Sequence, residues 1–125
     1  MGYAFPASLG ASLAQRKKRI ICIDGDGSIQ INIQELQTMV SNNLPIKLFL
    51  INNNGYGIIK QFQELYLNKR YEASVESKGV TNPNFKKIAN SYGVNYSEIK
   101  NNKQIDKVLN KVLNSKKPEF VNVII

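Results

Sequence analysis

The chain is 125 residues and 14.1 kDa, with 42% hydrophobic and 21% charged residues, the proportions of one globular domain large enough to bury a core. Its 17 Lys and Arg against 9 Asp and Glu give a net charge of +8. The cations are scattered over residues 16–19, 60–70, 86–87 and 100–117, without interleaved aromatics or a nucleic-acid-binding motif, so a solvated basic surface is expected and a nucleic-acid partner is not. The absence of histidine excludes His-based triads and His metal sites within the chain, and the lone Cys22 excludes an internal disulfide. No apolar run reaches bilayer length and no basic-then-apolar leader opens the chain, so the expectation is a cytoplasmic protein with no membrane partner.

Residues 1–16 are rich in small and apolar side chains, and Pro6 suits a first turn, so a helix is expected over 6–15. A basic turn, 16–19, leads into the apolar run 20–24, whose β-branched residues predict a strand covered on both faces, with Cys22 as a buried small hydrophobe. The run stops on Asp24-Gly25-Asp26-Gly27-Ser28. From Asn32 the pattern turns helical, with Asn32 as N-cap and Glu35 completing a capping box, and Ile33, Leu36, Gln37 and Val40 on one face. Asn42, Asn43 and Pro45 end that helix, and 46–51 reads as a second strand stopping on Asn52-Asn53-Asn54-Gly55.

Gly55-Tyr56-Gly57 reads as a hinge before a helix over 58–67, with Ile58, Phe62 and Leu65 on a shared side. Residues 68–81 lack periodicity and predict a surface loop, mobile or ordered by a partner. Asn82-Pro83 reads as a cap and an N1 proline opening a helix that Gly93 closes. A short strand over 94–99, an amphipathic helix over 103–115 stopped by Pro118, and a last strand over 120–125 complete the chain. The alternation argues α/β: an open, mostly parallel sheet with helices on both faces, one domain spanning 1–125.

The two polar loops carry the chemistry. Two strands joined by a helical crossover lie parallel, so both loops leave carboxyl ends of strands, the edge where open α/β sheets bind ligands. One loop offers a carboxylate among glycines and the other offers side-chain amides and spare carbonyls. That set suits a hard divalent cation carrying a phosphate: magnesium takes about six oxygens, commonly one or two protein carboxylates with phosphate oxygens. Asp26 can supply the charged oxygen, Asn53 an amide oxygen and Gly55 a backbone carbonyl. Gly25 and Gly27 keep Cβ atoms away from the phosphates, and Ser28 with the following N–H groups faces them. Taken singly, Asp26 reads more readily as a turn residue and Asn52 to Asn54 as a polar turn; their joint occurrence at this spacing favours the site.

Gly25-Asp26-Gly27, a spacer of about two dozen residues, and Asn52-Asn53 is similar to the signature of thiamine diphosphate enzymes. The flanking text, MGYAFPASLGA before and NNNGYGIIKQFQ after, resembles the diphosphate-binding domain of the acetolactate synthase group, closely from residue 1 to about 62 and loosely beyond. The resemblance implies thiamine diphosphate and Mg2+ as cofactors, with Asp26, Asn53 and the Gly55 carbonyl as magnesium ligands and Gly27 and Ser28 as diphosphate contacts. It implies Met1 as the apolar wedge between the cofactor's rings, with plain core packing as the alternative. Gly25 and Tyr56 fall among the cofactor-contacting residues, Tyr56 as a packing residue of the hinge and not as a catalyst. Ile58 and Phe62 fall where the synthases line the substrate pocket, and several synthases carry Trp where this chain has Phe62, which bears on acceptor preference.

The implied reaction decarboxylates a 2-oxo acid such as pyruvate and joins the two-carbon unit to a second carbonyl compound, a step of branched-chain amino acid biosynthesis. Alternatives are a simple 2-oxo acid decarboxylase, a sugar- or sulfonate-pathway enzyme on the same cofactor, or a non-catalytic assembly module keeping the fold. The family's catalytic glutamate belongs to a pyrimidine-binding domain of the same or a second subunit, and no residue here matches it; no catalytic residue is expected within this chain. Met1 begins mid-motif, so the chain is expected to be a fragment of a longer, homo-oligomeric enzyme, inactive alone. FAD is possible in the full-length enzyme and has no site here.

Overall fold

Four strands, β1 (Ile21–Gly25), β2 (Lys47–Asn52), β3 (Asn95–Ile99) and β4 (Glu119–Ile124), form one sheet in the order β1-β2-β4-β3, every neighbouring pair parallel. The computed structural model describes all residues, Met1–Ile125. Six helices complete it: α1 (Ala4–Ala14), α2 (Asp26–Ile29), α3 (Glu35–Ser41), α4 (Gly57–Tyr66), α5 (Phe85–Ser91) and α6 (Ile105–Asn114), with single 3-10 turns at Gln30–Asn32, Glu76–Lys78 and Asn102–Gln104. No helix is long and apolar enough to cross a membrane.

Alternate residues of the strands feed two unequal cores. Cys22, Leu48, Leu50 and Phe120 face α1, α3 and α5, and meet Phe5, Leu9, Leu36, Met39, Phe85 and Ala89 in the main core. On the other face α6 sets Val112 against Phe49, Ile99 and Val121. Fully burying one such side chain contributes about 1.5–3 kcal/mol, so the larger cluster dominates stability. Cys22 is buried and free, as expected; burial pushes its thiol pKa up, which suits packing and not reactivity.

β1 is not covered on both faces. Ile21 and Ile23 remain 54% and 64% exposed, because the second face carries only α6, packed over β3 and β4 beyond the reach of the edge strand. A continuous β-branched run cannot distinguish a central strand from an edge strand with one open face.

Two expected caps do not form. Helical turns begin at Asp26 itself, and the Asn32 carboxamide donates to the Gly2 carbonyl, so α3 starts after Gln34 with no side-chain cap. Likewise Asn84, not Asn82, caps α5, accepting from the Lys87 N–H at 3.0 Å. The C-terminal signals hold. Asn43 takes φ +51° after α3 and Gly93 φ +74° after α5, with the Leu44 N–H reaching Met39 O and the Val94 N–H reaching Ala89 O.

Residues 68–81 form the expected surface loop, tied to the chain near residues 72–74. Gln63, the buried residue of α4, donates to the Glu72 carbonyl at 3.0 Å and accepts from the buried Ser74 hydroxyl, while Ser74 O receives the Tyr56 N–H at 3.0 Å. The loop expectation missed this because one polar residue on an otherwise solvated helix face carries no periodic signal. The apolar side of α4, Ile58, Phe62 and Leu65, is exposed.

Candidate functional site

The carboxyl ends of β1 and β2 are adjacent, with Gly25 paired to Ile51, so the two polar loops meet at one corner of the sheet. Both strands are long enough to cross the core and stop where glycine or amide side chains break the ladder. Asn52 shapes its loop: its Oδ1 accepts the Asn54 N–H at 3.1 Å, and Asn54 takes φ +53°, a left-handed conformation that asparagine tolerates. That leaves Asn53 facing outward.

A cavity of about 200 Å3 opens between the loops, lined by Met1, Gly25, Asp26, Gly27, Ser28, Asn53, Gly55, Tyr56 and Ile58 among others. Every cofactor-contacting residue expected from the sequence, together with Ile58, therefore lies around one opening. Phe62 does not; it lines a separate apolar depression with Ile58, Leu65 and Tyr66, its ring centroid 4.8 Å from that of Tyr66 and tilted by 42°. A larger polar cavity, about 510 Å3, adjoins the loop between Asn53, Tyr56, Lys60 and residues 74–77.

Asp26 is the electrostatic centre. Its side chain is nearly sealed, 2% exposed, yet no Lys or Arg pairs with it; the three ion pairs of the molecule lie elsewhere, at Lys60–Glu64, Arg70–Glu72 and Lys100–Glu98. Neutral donors hold it instead. Gly27 N–H donates to Oδ1 at 3.0 Å, and Gly55 N–H and the Asn82 carboxamide donate to Oδ2 at 3.1 and 2.6 Å. These donors favour the charged form, and a cation beside it would stabilise the buried carboxylate further.

The residues fit Mg2+ with a diphosphate. No group of three His, Cys, Asp or Glu side chains that could hold a metal occurs, so any oxygen set here joins one carboxylate to neutral oxygens. One carboxylate, an outward carboxamide and a loop carbonyl are the incomplete oxygen set that magnesium accepts when phosphates supply the rest. A Cβ at Gly25 would meet nothing nearer than Ser28 Cβ at 4.0 Å, so its absence leaves space in the cavity. Gly27 works differently: a Cβ there would meet the Tyr56 ring at 2.1 Å, so this glycine admits Tyr56 and not only a ligand. The Ser28 hydroxyl accepts the Gly2 N–H at 2.8 Å, which fixes the first residues over the cavity and brings Met1 to its rim.

Asn82 and Gln30 are site residues that sequence reasoning missed. Asn82 reads locally as a helix cap, and nothing in its neighbours signals a contact 56 residues away. Asp24 also escaped notice: it is buried, accepts the Gly25 N–H at 2.9 Å, and leaves Oδ2 without a partner. Away from this corner, Tyr96 donates to Glu98 at 3.0 Å, and burial together with that carboxylate pushes its pKa up to about 12.

A parallel α/β sheet with a carboxylate-and-amide corner at its carboxyl edge, suited to a cation and an anionic tail, defines a cofactor-anchoring domain. Comparison with known proteins identifies the cofactor class: the family described as "Thiamine pyrophosphate enzyme, C-terminal TPP binding domain" matches residues 1–123. The chain is 37% identical over its full length to the acetolactate synthase large subunit of Cyanidium caldarium and 35% identical to the acetolactate synthase isozyme 2 large subunit of Escherichia coli (strain K12), covering 21% and 22% of them. Among solved structures, the Rhodococcus jostii RHA1 thiamine diphosphate-dependent 4-hydroxybenzoylformate decarboxylase superposes with a TM-score of 0.86 at 25% identity, over 99% of this chain and 23% of that one. The chain belongs to the thiamine pyrophosphate enzymes, as their C-terminal TPP-binding domain. It spans about a fifth of the length of the curated relatives it matches.

Proposed function

We propose that this chain anchors the diphosphate of thiamine diphosphate through Mg2+ for an enzyme of 2-oxo acid conversion, acetolactate synthase-like in joining a two-carbon unit from pyruvate to a second carbonyl compound. The observation that carries the reading is the sealed Asp26 carboxylate, without a counter-ion, beside Asn53 and Gly55 in one cavity. Asp26, Asn53 and the Gly55 carbonyl would hold the cation. Gly25 leaves room for the phosphates, Ser28 and the following turn border them, and Met1 with Ile58 offers apolar contact at the rim. The cofactor, when bound, supplies the carbanion chemistry; this chain's residues bind and orient it and exclude water from one end.

No catalytic residue is assigned within the chain, and its partner is a pyrimidine-binding domain of the same or a second subunit in a homo-oligomeric, cytoplasmic enzyme. The exposed apolar side of α4 is consistent with burial against that partner. The solved relative is a decarboxylase by name, which supports a second reading in which the enzyme releases the decarboxylated product without joining it to a second carbonyl compound. Product analysis separates the two, since acetolactate and acetaldehyde are readily told apart. The anchoring claim is tested by calorimetry: thiamine diphosphate binding that requires Mg2+ and is lost in Asp26→Ala upholds it, and binding indifferent to both refutes it.

A further inference from the structure

The Asn82 carboxamide nitrogen lies 2.6 Å from Asp26 Oδ2, 3.2 Å from Asn52 Oδ1 and 3.3 Å from Asn54 Oδ1. Two N–H bonds thus serve three oxygens drawn from both site loops. Its orientation is set from the other side. Gln30 Nε2 donates to Asn82 Oδ1 at 3.1 Å and to the Asp26 carbonyl at 3.2 Å, so the flipped amide would lose that bond and turn its oxygen on three acceptors. Asn84 does the capping of α5, which leaves the Asn82 side chain free for this contact.

We propose that Asn82 is a positioning residue for the cation. With Asn82 and the Gly55 N–H on Oδ2 and the Gly27 N–H on Oδ1, the plane of the Asp26 carboxylate is fixed before any metal arrives. The same nitrogen ties that carboxylate to Asn52 and Asn54, the two residues that flank Asn53. Asn82 therefore links the charged ligand to the loop bearing the neutral ones, and Gln30 holds the link in its working orientation. Hydrogen-bond partners that orient a metal-ligating group typically contribute 10–100-fold to metal affinity. The inference rests on Asp26, Asn53 and Gly55 being the anchoring set.

The test is Mn2+ affinity of the 125-residue chain with thiamine diphosphate present, read from the free-Mn2+ electron paramagnetic resonance signal. The proteins are wild type, Asp26→Ala, Asn82→Ala, Gln30→Ala, the Asn82→Ala/Gln30→Ala double variant and Asn84→Ala, at a temperature where circular dichroism shows each folded. Asn82→Ala is expected to raise the Mn2+ Kd about 10–100-fold. Gln30→Ala moves it in the same direction by less, and the double variant is no worse than Asn82→Ala alone, because the two act through one link. Asn84→Ala loosens the same helix and leaves the Kd unchanged. Should Asn82→Ala not fold, Gln30→Ala carries the test, and a wild-type Kd there overturns the proposal. Wild-type affinity in Asn82→Ala while Asp26→Ala loses the ion overturns the role of Asn82 alone, and so does an equal loss in Asn84→Ala. Affinity unaffected by Asp26→Ala overturns the anchoring reading and this inference with it.

Discussion

Gly27→Ala drives a methyl group into an aromatic ring. The new Cβ would lie 2.1 Å from Tyr56 Cε1, 2.5 Å from Cδ1 and 3.1 Å from Cζ, whereas carbon atoms rest at about 3.5–4.0 Å, so the ring must retreat by roughly 1.5 Å. The residue's backbone is held on both sides. The Tyr56 N–H is bound to Ser74 O at 3.0 Å, its carbonyl accepts from the Lys60 N–H at 2.9 Å, and the preceding residue is held by the Asp26 carboxylate. Overpacking of this kind costs about 1–3 kcal/mol. A chain of this length gains about 0.26 kcal/mol per kelvin of entropy on unfolding, so a 2 kcal/mol loss lowers Tm by about 8 °C. Thermal unfolding followed by far-UV circular dichroism measures it, with Tyr56→Ala and the double variant alongside. The double variant should recover about 1 kcal/mol or more relative to the sum of the single changes. A Gly27→Ala protein that melts within about 2 °C of wild type, or strict additivity, refutes the contact.

Lys47 is fully buried, its Nζ donating to the Lys117 carbonyl, and burial lowers its pKa against the opposing pull of Glu119, its neighbour in register on β4. Glu119 is itself buried, with Oε1 bound to Asn95 and Oε2 without a partner. Lys47→Met removes the donor to the Lys117 carbonyl and a positive charge that acts on the buried Glu119, and should cost about 1–3 kcal/mol in urea unfolding, with Glu119→Gln added to it restoring part of the loss; a Lys47→Met protein as stable as wild type contradicts this role. Tyr96 titrates near 12 when folded and near its ordinary 10 when unfolded, so its contribution is complete below pH 10 and is lost as pH rises toward 12. Discounted for partial exposure, this amounts to about 2 kcal/mol at most, and urea midpoints between pH 9.5 and 12 should fall less steeply in Tyr96→Phe than in wild type. Equal slopes would show that Tyr96 is not the group responsible.

The corner of the sheet was legible because short-range chemistry writes it. Apolar runs must stop where glycine, aspartate and asparagine leave the ladder, so the ends of β1 and β2 could be read within a residue. Parallel pairing then put both loops on one edge without knowledge of any contact. What escaped was everything that depends on what lies across space. Ile21 and Ile23 are as β-branched as core residues, but whether a helix covers them depends on where α6 lands. Asn32 and Asn82 both look like caps, and each spends its carboxamide on a distant oxygen, Gly2 O and Asp26 Oδ2. Gln63 offers no sequence signal for its burial, which comes from the 72–74 segment folded over it. Polar residues that choose long-range partners over local ones leave no periodicity to read.

The most direct measurement is an anomalous diffraction map of crystals grown with Mn2+ and thiamine diphosphate. The expected result is one strong metal peak at the carboxyl ends of β1 and β2, about 2 Å from an Asp26 carboxylate oxygen, Asn53 Oδ1 and the Gly55 carbonyl. A metal-bound diphosphate that touches neither Asp26 nor Asn53 would contradict the central claim.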